Sequence, residues 1–172
     1  MKRLKQIPVP LAVVIMVVCI VVGIAFGNHN ALSEAKAAPE AILAEVSALA
    51  SQRANSAKNL LVVANRNNVD QALRTQLEDT IGSLEDATKA GKIASANEGL
   101  TFATNAVNEQ IQANANDQDK RLATGVMDDL SSNDKLLTRR ANVYNESLEA
   151  VSKVYRTLPF GWLVGGMPEV HQ

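Results

Sequence analysis

From Ile7 to Phe26 the chain is apolar, broken only by Pro8, Pro10 and Gly23, and Lys2, Arg3 and Lys5 stand just before it. Residues 9–26 carry no charged or amide side chain. A run of that length spans the roughly 30 Å hydrocarbon core of a bilayer as one helix, the form in which every backbone polar group is satisfied internally. A cleavable export signal shares the basic start, and Ala25 and Gly27 are small enough to precede a cleavage site. The apolar core of such a signal usually runs about 7–15 residues, and this one is longer, so residues 1–27 read as a retained anchor. Cys19 follows Val17 and Val18 inside the run and reads as a small buried hydrophobe, not as a lipid attachment point.

The flanks set the orientation. Three basic side chains crowd the first five residues, whereas the segment from Gly27 to Glu45 offers Lys36 against Glu34, Glu40 and Glu45. The excess of basic residues belongs on the cytoplasmic side. The expectation is therefore a single-pass protein of the cell membrane, with everything after Asn28 extracytoplasmic and lipid as the partner of the N-terminal helix.

The rest of the 172 residues is enough for one domain. A net charge of −1, with acids and bases scattered evenly, leaves no basic footprint for a nucleic acid. The single cysteine lies in the span, so the domain depends on packing and not on disulfides. Aromatic residues make up only 3% of the chain, and alanine, leucine, glutamate, glutamine and asparagine dominate its middle, which favours long helices over sheets.

Residues 28–38 read as a linker, because Gly27-Asn28-His29-Asn30 is polar and Pro39 suits the first turn of a helix. A continuous helix bending at Pro39 is the competing picture. Beyond it, Leu43, Val46, Leu49, Ala50, Ala57, Leu60, Leu61 and Ala64 recur at helical spacing up to the Asn65-Arg66-Asn67-Asn68 break. Val69, Leu73, Leu77, Ile81 and Leu84 form a second stripe, with Gly91 placed to cap it. Ile93, Leu100, Ala103, Val107 and Ile111 form a third, ending at Asn114-Ala115-Asn116-Asp117. Leu122, Val126, Leu130, Leu137, Tyr144, Leu148, Val151 and Tyr155 form a fourth, from near Asp119 to Pro159. That helix would run about 40 residues and near 60 Å, with Gly125 and Ser131-Ser132-Asn133 as weak points.

Four amphipathic segments joined by short polar breaks bury their stripes only against each other. The expected fold is all-α: one transmembrane helix, then an elongated antiparallel four-helix bundle over residues 39–159, with coiled-coil-like packing. An apolar tail, 160–172, carries the single tryptophan, Trp162, and either caps the bundle or dips into the membrane interface.

Chemistry-bearing constellations are absent from the pattern. His29 and His171 stand near opposite ends of the exported part with no ligand-spaced partner, so no metal or cofactor is expected. The acidic pairs Glu85-Asp86 and Asp128-Asp129 point about 100° apart on a helix and read as solvated faces. Arg139-Arg140 reads as a source of ordinary surface ion pairs, with docking of an acidic partner as the alternative. No nucleophile has a candidate base and no glycine-rich loop follows a strand, so no enzyme is expected.

The order of features resembles the LemA family, a short N-terminal anchor followed by a long-helix bundle. The resemblance rests on Arg139-Arg140, Tyr144-Asn145-Glu146 and Arg156-Thr157-Leu158-Pro159, preceded by Asp128-Asp129-Leu130, and on Arg53-Ala54-Asn55 followed by Asn59-Leu60. It departs where Lys58 replaces the family's proline, Val151-Ser152 replaces a second Tyr-Asn pair, and Leu158 replaces an aromatic residue. The resemblance implies a membrane-anchored bundle of the bacterial cell envelope with no catalytic residues to carry over. It marks Arg53, Asn59, Leu60, Arg139, Arg140, Tyr144, Asn145, Pro159 and Trp162 as structural or interaction positions. Tyr144 is expected to pack into the bundle and Asn145 to bond across it. The function expected is contact with unidentified protein partners, further copies of the chain, or other envelope components. The alternative is a ligand-sensing bundle, which would have to signal through a partner membrane protein because only about seven residues precede the span.

Overall fold

The computed structural model describes residues 9–158, with side chains from residue 15 onward. The basic cluster Lys2, Arg3 and Lys5, together with Pro159 and the tail bearing Trp162, lies outside the described residues. Four helices account for nearly all the rest: α1 (Val9–Arg66), α2 (Gln71–Glu85), α3 (Ala90–Asn114) and α4 (Asp117–Thr157). No strand occurs among the described residues.

Helix α1 runs unbroken through residues 28–38 and through Pro39, so the expected linker is helical and no second helix starts at the proline. A proline inside a helix removes one hydrogen bond and crowds the carbonyl four residues back. Here the cost is local, and alanine-rich sequence on both sides, Ala35-Lys36-Ala37-Ala38 and Ala41, favours helix. The residue itself is buried.

Turn chemistry defines the other boundaries. Asn68, at φ 51°, takes the left-handed conformation that asparagine tolerates better than most residues, and it closes the turn after α1. Asp70 then caps α2 by accepting a 2.7 Å hydrogen bond from the Ala72 amide. Helix α2 ends at Glu85, with Asp86 as its cap residue, and Gly91 lies inside the first turn of α3 instead of capping α2. Helix α4 passes Gly125 and Ser131-Ser132-Asn133 without a break.

The chain divides into two compact units, Glu40–Glu146 and a second that combines the chain through Pro39 with α4 from Ser147. In the first unit all four helices contribute to one core. Helix α1 supplies Val46, Ala50, Ala54, Ala57, Leu60, Val63 and Ala64; α2 supplies Leu77, Ile81 and Leu84. Helix α3 supplies Ile93, Leu100, Ala103, Val107 and Ile111, and α4 supplies Ala123, Leu130 and Leu137. The fourth stripe needs one correction: Leu122 is 46% exposed and Ala123 takes the core position beside it. A one-residue step turns a helical side chain by about 100°, enough to exchange core for solvent.

Polar ties show how the helices run in this unit. Lys58 reaches Glu85 at 2.5 Å and Asn65 reaches Arg74 at 2.9 Å, so α2 runs back along α1. The Asp70 amide donates to Gln110 at 2.9 Å, turning α3 back along α2. Arg66 pairs with Asp119 at 3.0 Å and Glu45 with Arg140 at 3.1 Å, so α4 is antiparallel to α1.

In the second unit Asn28, Leu32 and Pro39 on α1 and Leu148 and Val151 on α4 are buried. Further toward its N-terminus α1 presents its apolar side chains outward. Ile15, Met16, Val17, Val18, Ile20, Val21, Val22 and Phe26 are all between 45% and 72% exposed. Cys19, expected to be a buried hydrophobe, is exposed as well. Among the described residues one helix, α1, is long and apolar enough to cross a membrane.

Candidate functional site

The most unusual feature of the core is a charge. Arg53 projects from α1 among Ala50, Ala54 and Ala57, whose short side chains leave room for a guanidinium, and it is only 2% exposed. Its Nη1 donates to Oδ1 of Asn97 on α3 and to Oδ1 of Asp134 on α4. Its Nη2 donates to the Thr101 hydroxyl at 2.8 Å. Asn97 Nδ2 in turn donates to Asp134 Oδ1 at 2.8 Å, and the Thr101 hydroxyl donates to the Asn97 carbonyl at 2.9 Å. One side chain of α1 thus gathers two from α3 and one from α4 into a single polar layer.

Electrostatics in the layer are balanced but not saturated. Burial pulls the Arg53 guanidinium below its ordinary value, while the charge and hydrogen bond of Asp134 push it back up. Arg53 Nε is buried with no hydrogen-bond acceptor. The Asp134 side chain is 37% exposed, so the layer meets water on the α4 side.

A second ionic cluster closes the end of the unit where the α1–α2 and α3–α4 turns meet. Asp119 is 2% exposed and accepts from Arg66 at 3.0 Å, Asn67 at 2.9 Å and Asn116 at 3.1 Å. Its own amide is capped by Asn116 Oδ1 at 2.9 Å. The Asn67 hydrogen bond is the leading cause that holds the Asp119 carboxyl below the usual carboxylate range, aided by Asn116 and Arg66 and opposed by burial.

The positions marked by family resemblance separate in this geometry. Arg53 and Leu60 are in the core, whereas Asn59 and Arg139 are exposed. Arg140 pairs with Glu45 while both stay about half exposed. Tyr144 is half-buried, and Asn145 is exposed to solvent instead of reaching across the bundle. Glu85, Asp86, Asp128 and Asp129 all lie on exposed faces, Glu85 with Lys58 as its partner.

The sequence assigns no site role to Asn97, Thr101, Asp119 or Asp134, although two of them carry a signal. Asn97 sits four residues after Ile93 and three before Leu100, and Asp134 sits in the same relation to Leu130 and Leu137. Each is a polar residue on an apolar stripe, which in a helix bundle marks either a break in packing or a buried polar contact.

An open groove of about 740 Å³ lies between α2 and α3, lined by Thr80, Ser83, Gly91, Ser95 and Gly99 with Lys89 and Lys92. It contains hydroxyls and amines but no carboxylate, histidine or thiol. Among the described residues no group of three histidine, cysteine, aspartate or glutamate side chains is placed to hold a metal. No family model matches the chain, and no curated protein or solved structure matches it.

Proposed function

We propose that this chain is a LemA-like, single-pass membrane protein of the bacterial cell envelope, in which the N-terminal part of α1 anchors an antiparallel four-helix bundle. The bundle acts through contacts with proteins or other envelope components and not through catalysis. The observation that carries the reading is the uncovered row from Ile15 to Phe26. Contiguous apolar surface of that kind is unfavourable in water and marks a membrane or interaction surface. Lipid covers it on all sides at once, Cys19 included, and the absence of charge from residues 9–26 fits that solvent.

Two observations support a role in contact over catalysis. Both Arg53 Nη atoms and the Asp119 carboxylate are bonded to other members of their own clusters. The outer helix faces carry the exposed charges, including Arg139 and the Asp128-Asp129 pair. These are surfaces suited to docking.

The test is extraction and labelling in cells. The protein should stay in the membrane pellet through alkaline carbonate and leave it only with detergent. A cysteine placed at exposed Asn105, in a Cys19→Ala background, should react with an impermeant maleimide in intact cells. Release by carbonate would remove the anchor from the reading, and labelling only after lysis would reverse the orientation.

A further inference from the structure

Helices α1 and α2 form one hairpin, joined through residues 67–70, and α3 and α4 form another, joined through 115 and 116. Each short turn fixes its own two helices against each other. The covalent connection between the two hairpins is residues 86–89. Four residues reach about 13 Å when extended, which leaves slack for one hairpin to slide along the other. A slide of one helical turn is about 5.4 Å.

Apolar packing discriminates weakly against that slide. On α4, Leu130 and Leu137 flank Asp134 about one turn away on either side, and both are core residues. On α1, Ala50, Ala54 and Ala57 near Arg53 repeat the same small core side chain from one turn to the next. The polar layer does not share this tolerance. A one-turn slide would set Arg53, 2% exposed, against a leucine and strand its charge without a carboxylate.

We infer that the Arg53–Asn97–Thr101–Asp134 layer is a register lock that holds the α1–α2 hairpin at one longitudinal setting against the α3–α4 hairpin. Its members come from both hairpins, and Arg53 and Asn97 are buried, whereas the Glu45–Arg140 pair is about half exposed on both sides and open to solvent screening. A polar group in a helix seam can specify register at some cost in stability. The Asp119 cluster also joins the hairpins, but it ties their turns at one end and Arg66 remains 58% exposed.

The experiment is a distance measurement on the full chain in detergent. Spin labels go on cysteines at Asn55 on α1 and Glu146 on α4, both exposed, with Cys19 replaced by alanine. The Arg53–Asp134 pairing puts these sites roughly 20 Å apart along the helix axes, so a one-turn slide displaces the measured distance by about 5 Å. The wild-type layer should give one narrow distance, and so should Asp119→Asn, which loosens only the end cluster. The double variant Arg53→Met with Asp134→Leu should keep its helicity, yet show a second population about 5 Å away. A folded double variant with a single distance as narrow as wild type overturns the lock, and so does a second population in Asp119→Asn alone. If the double variant loses helicity, Arg53→Met by itself is read in the same way, because Asp134 keeps its route to water.

Discussion

Removing Asp134 should damage this protein more than removing the charge of Arg53, although the two groups form one ion pair. In Asp134→Ala the guanidinium stays where it is, 3% exposed, and loses the carboxylate it pairs with. Breaking a buried pair from one side costs about 3–5 kcal/mol. The Asn97 and Thr101 oxygens still accept from Arg53, and water enters where the 37%-exposed carboxylate stood, which places the loss near the lower limit, about 3 kcal/mol. In Arg53→Met the side-chain stem is largely refilled, and the orphaned Asp134 keeps both its 2.8 Å hydrogen bond from Asn97 and its hydration. That change should cost about 1 kcal/mol, within the range for volume-conserving core substitutions. The difference of about 2 kcal/mol corresponds to roughly a 30-fold difference in the folding equilibrium, since about 1.4 kcal/mol is tenfold. Urea unfolding of the full chain in mild detergent, followed by far-UV circular dichroism, measures it as a shift in midpoint at constant slope. Equal losses in the two variants, or a larger loss for Arg53→Met, would refute the assignment of Arg53 as the desolvated partner.

Two leucines read as stripe residues from their spacing should behave oppositely: Leu100→Ala, with its side chain fully enclosed, should cost about 2–5 kcal/mol, and Leu122→Ala, 46% exposed, under about 0.5 kcal/mol. Similar costs in the same urea assay would mean that α4 is rotated from the setting described. For Asp119, whose folded carboxyl is held below its unfolded value of about 3.9, the stabilising contribution is complete above that value and disappears as pH falls through the folded one. Thermal melts of wild type and Asp119→Asn should therefore differ by a constant gap from pH 7 to about pH 5 that closes below about pH 4. A gap that narrows between pH 7 and pH 5 would contradict the hydrogen-bonded, ionised carboxylate.

Helix class and most of the core are legible in one dimension, whereas the expected anchor and first bundle helix are one continuous helix, α1, so four helices stand where the sequence suggests five. The third stripe, Ile93 to Ile111, is buried throughout, and so are Leu77, Ile81 and Leu84 of the second, because a helix that must bury one face writes that face into its spacing. The apolar run was legible for the same reason, since composition alone decides whether a segment is stable in water. Boundaries were less so. Pro39 carries a local signal for a helix start, but one missing hydrogen bond weighs little against the helical sequence on both sides and the burial of the residue. Gly91 suits a cap by sequence because glycine permits that role, but it does not require it, and the residue lies in the first turn of α3.

The core exchange of Leu122 for Ala123, and the meeting of Arg53, Asn97, Thr101 and Asp134, were decided only in three dimensions. Spacing within one helix states which residues share a face. It does not state which turn of another helix lies opposite, because that depends on the relative rotation and longitudinal setting of helices far apart in sequence. Arg53 stands 81 residues from Asp134. Sequence could mark each as a polar residue in an apolar seam, and only tertiary packing could make them partners, since a buried charge is tolerated where its counter-charge and acceptors are delivered to the same layer.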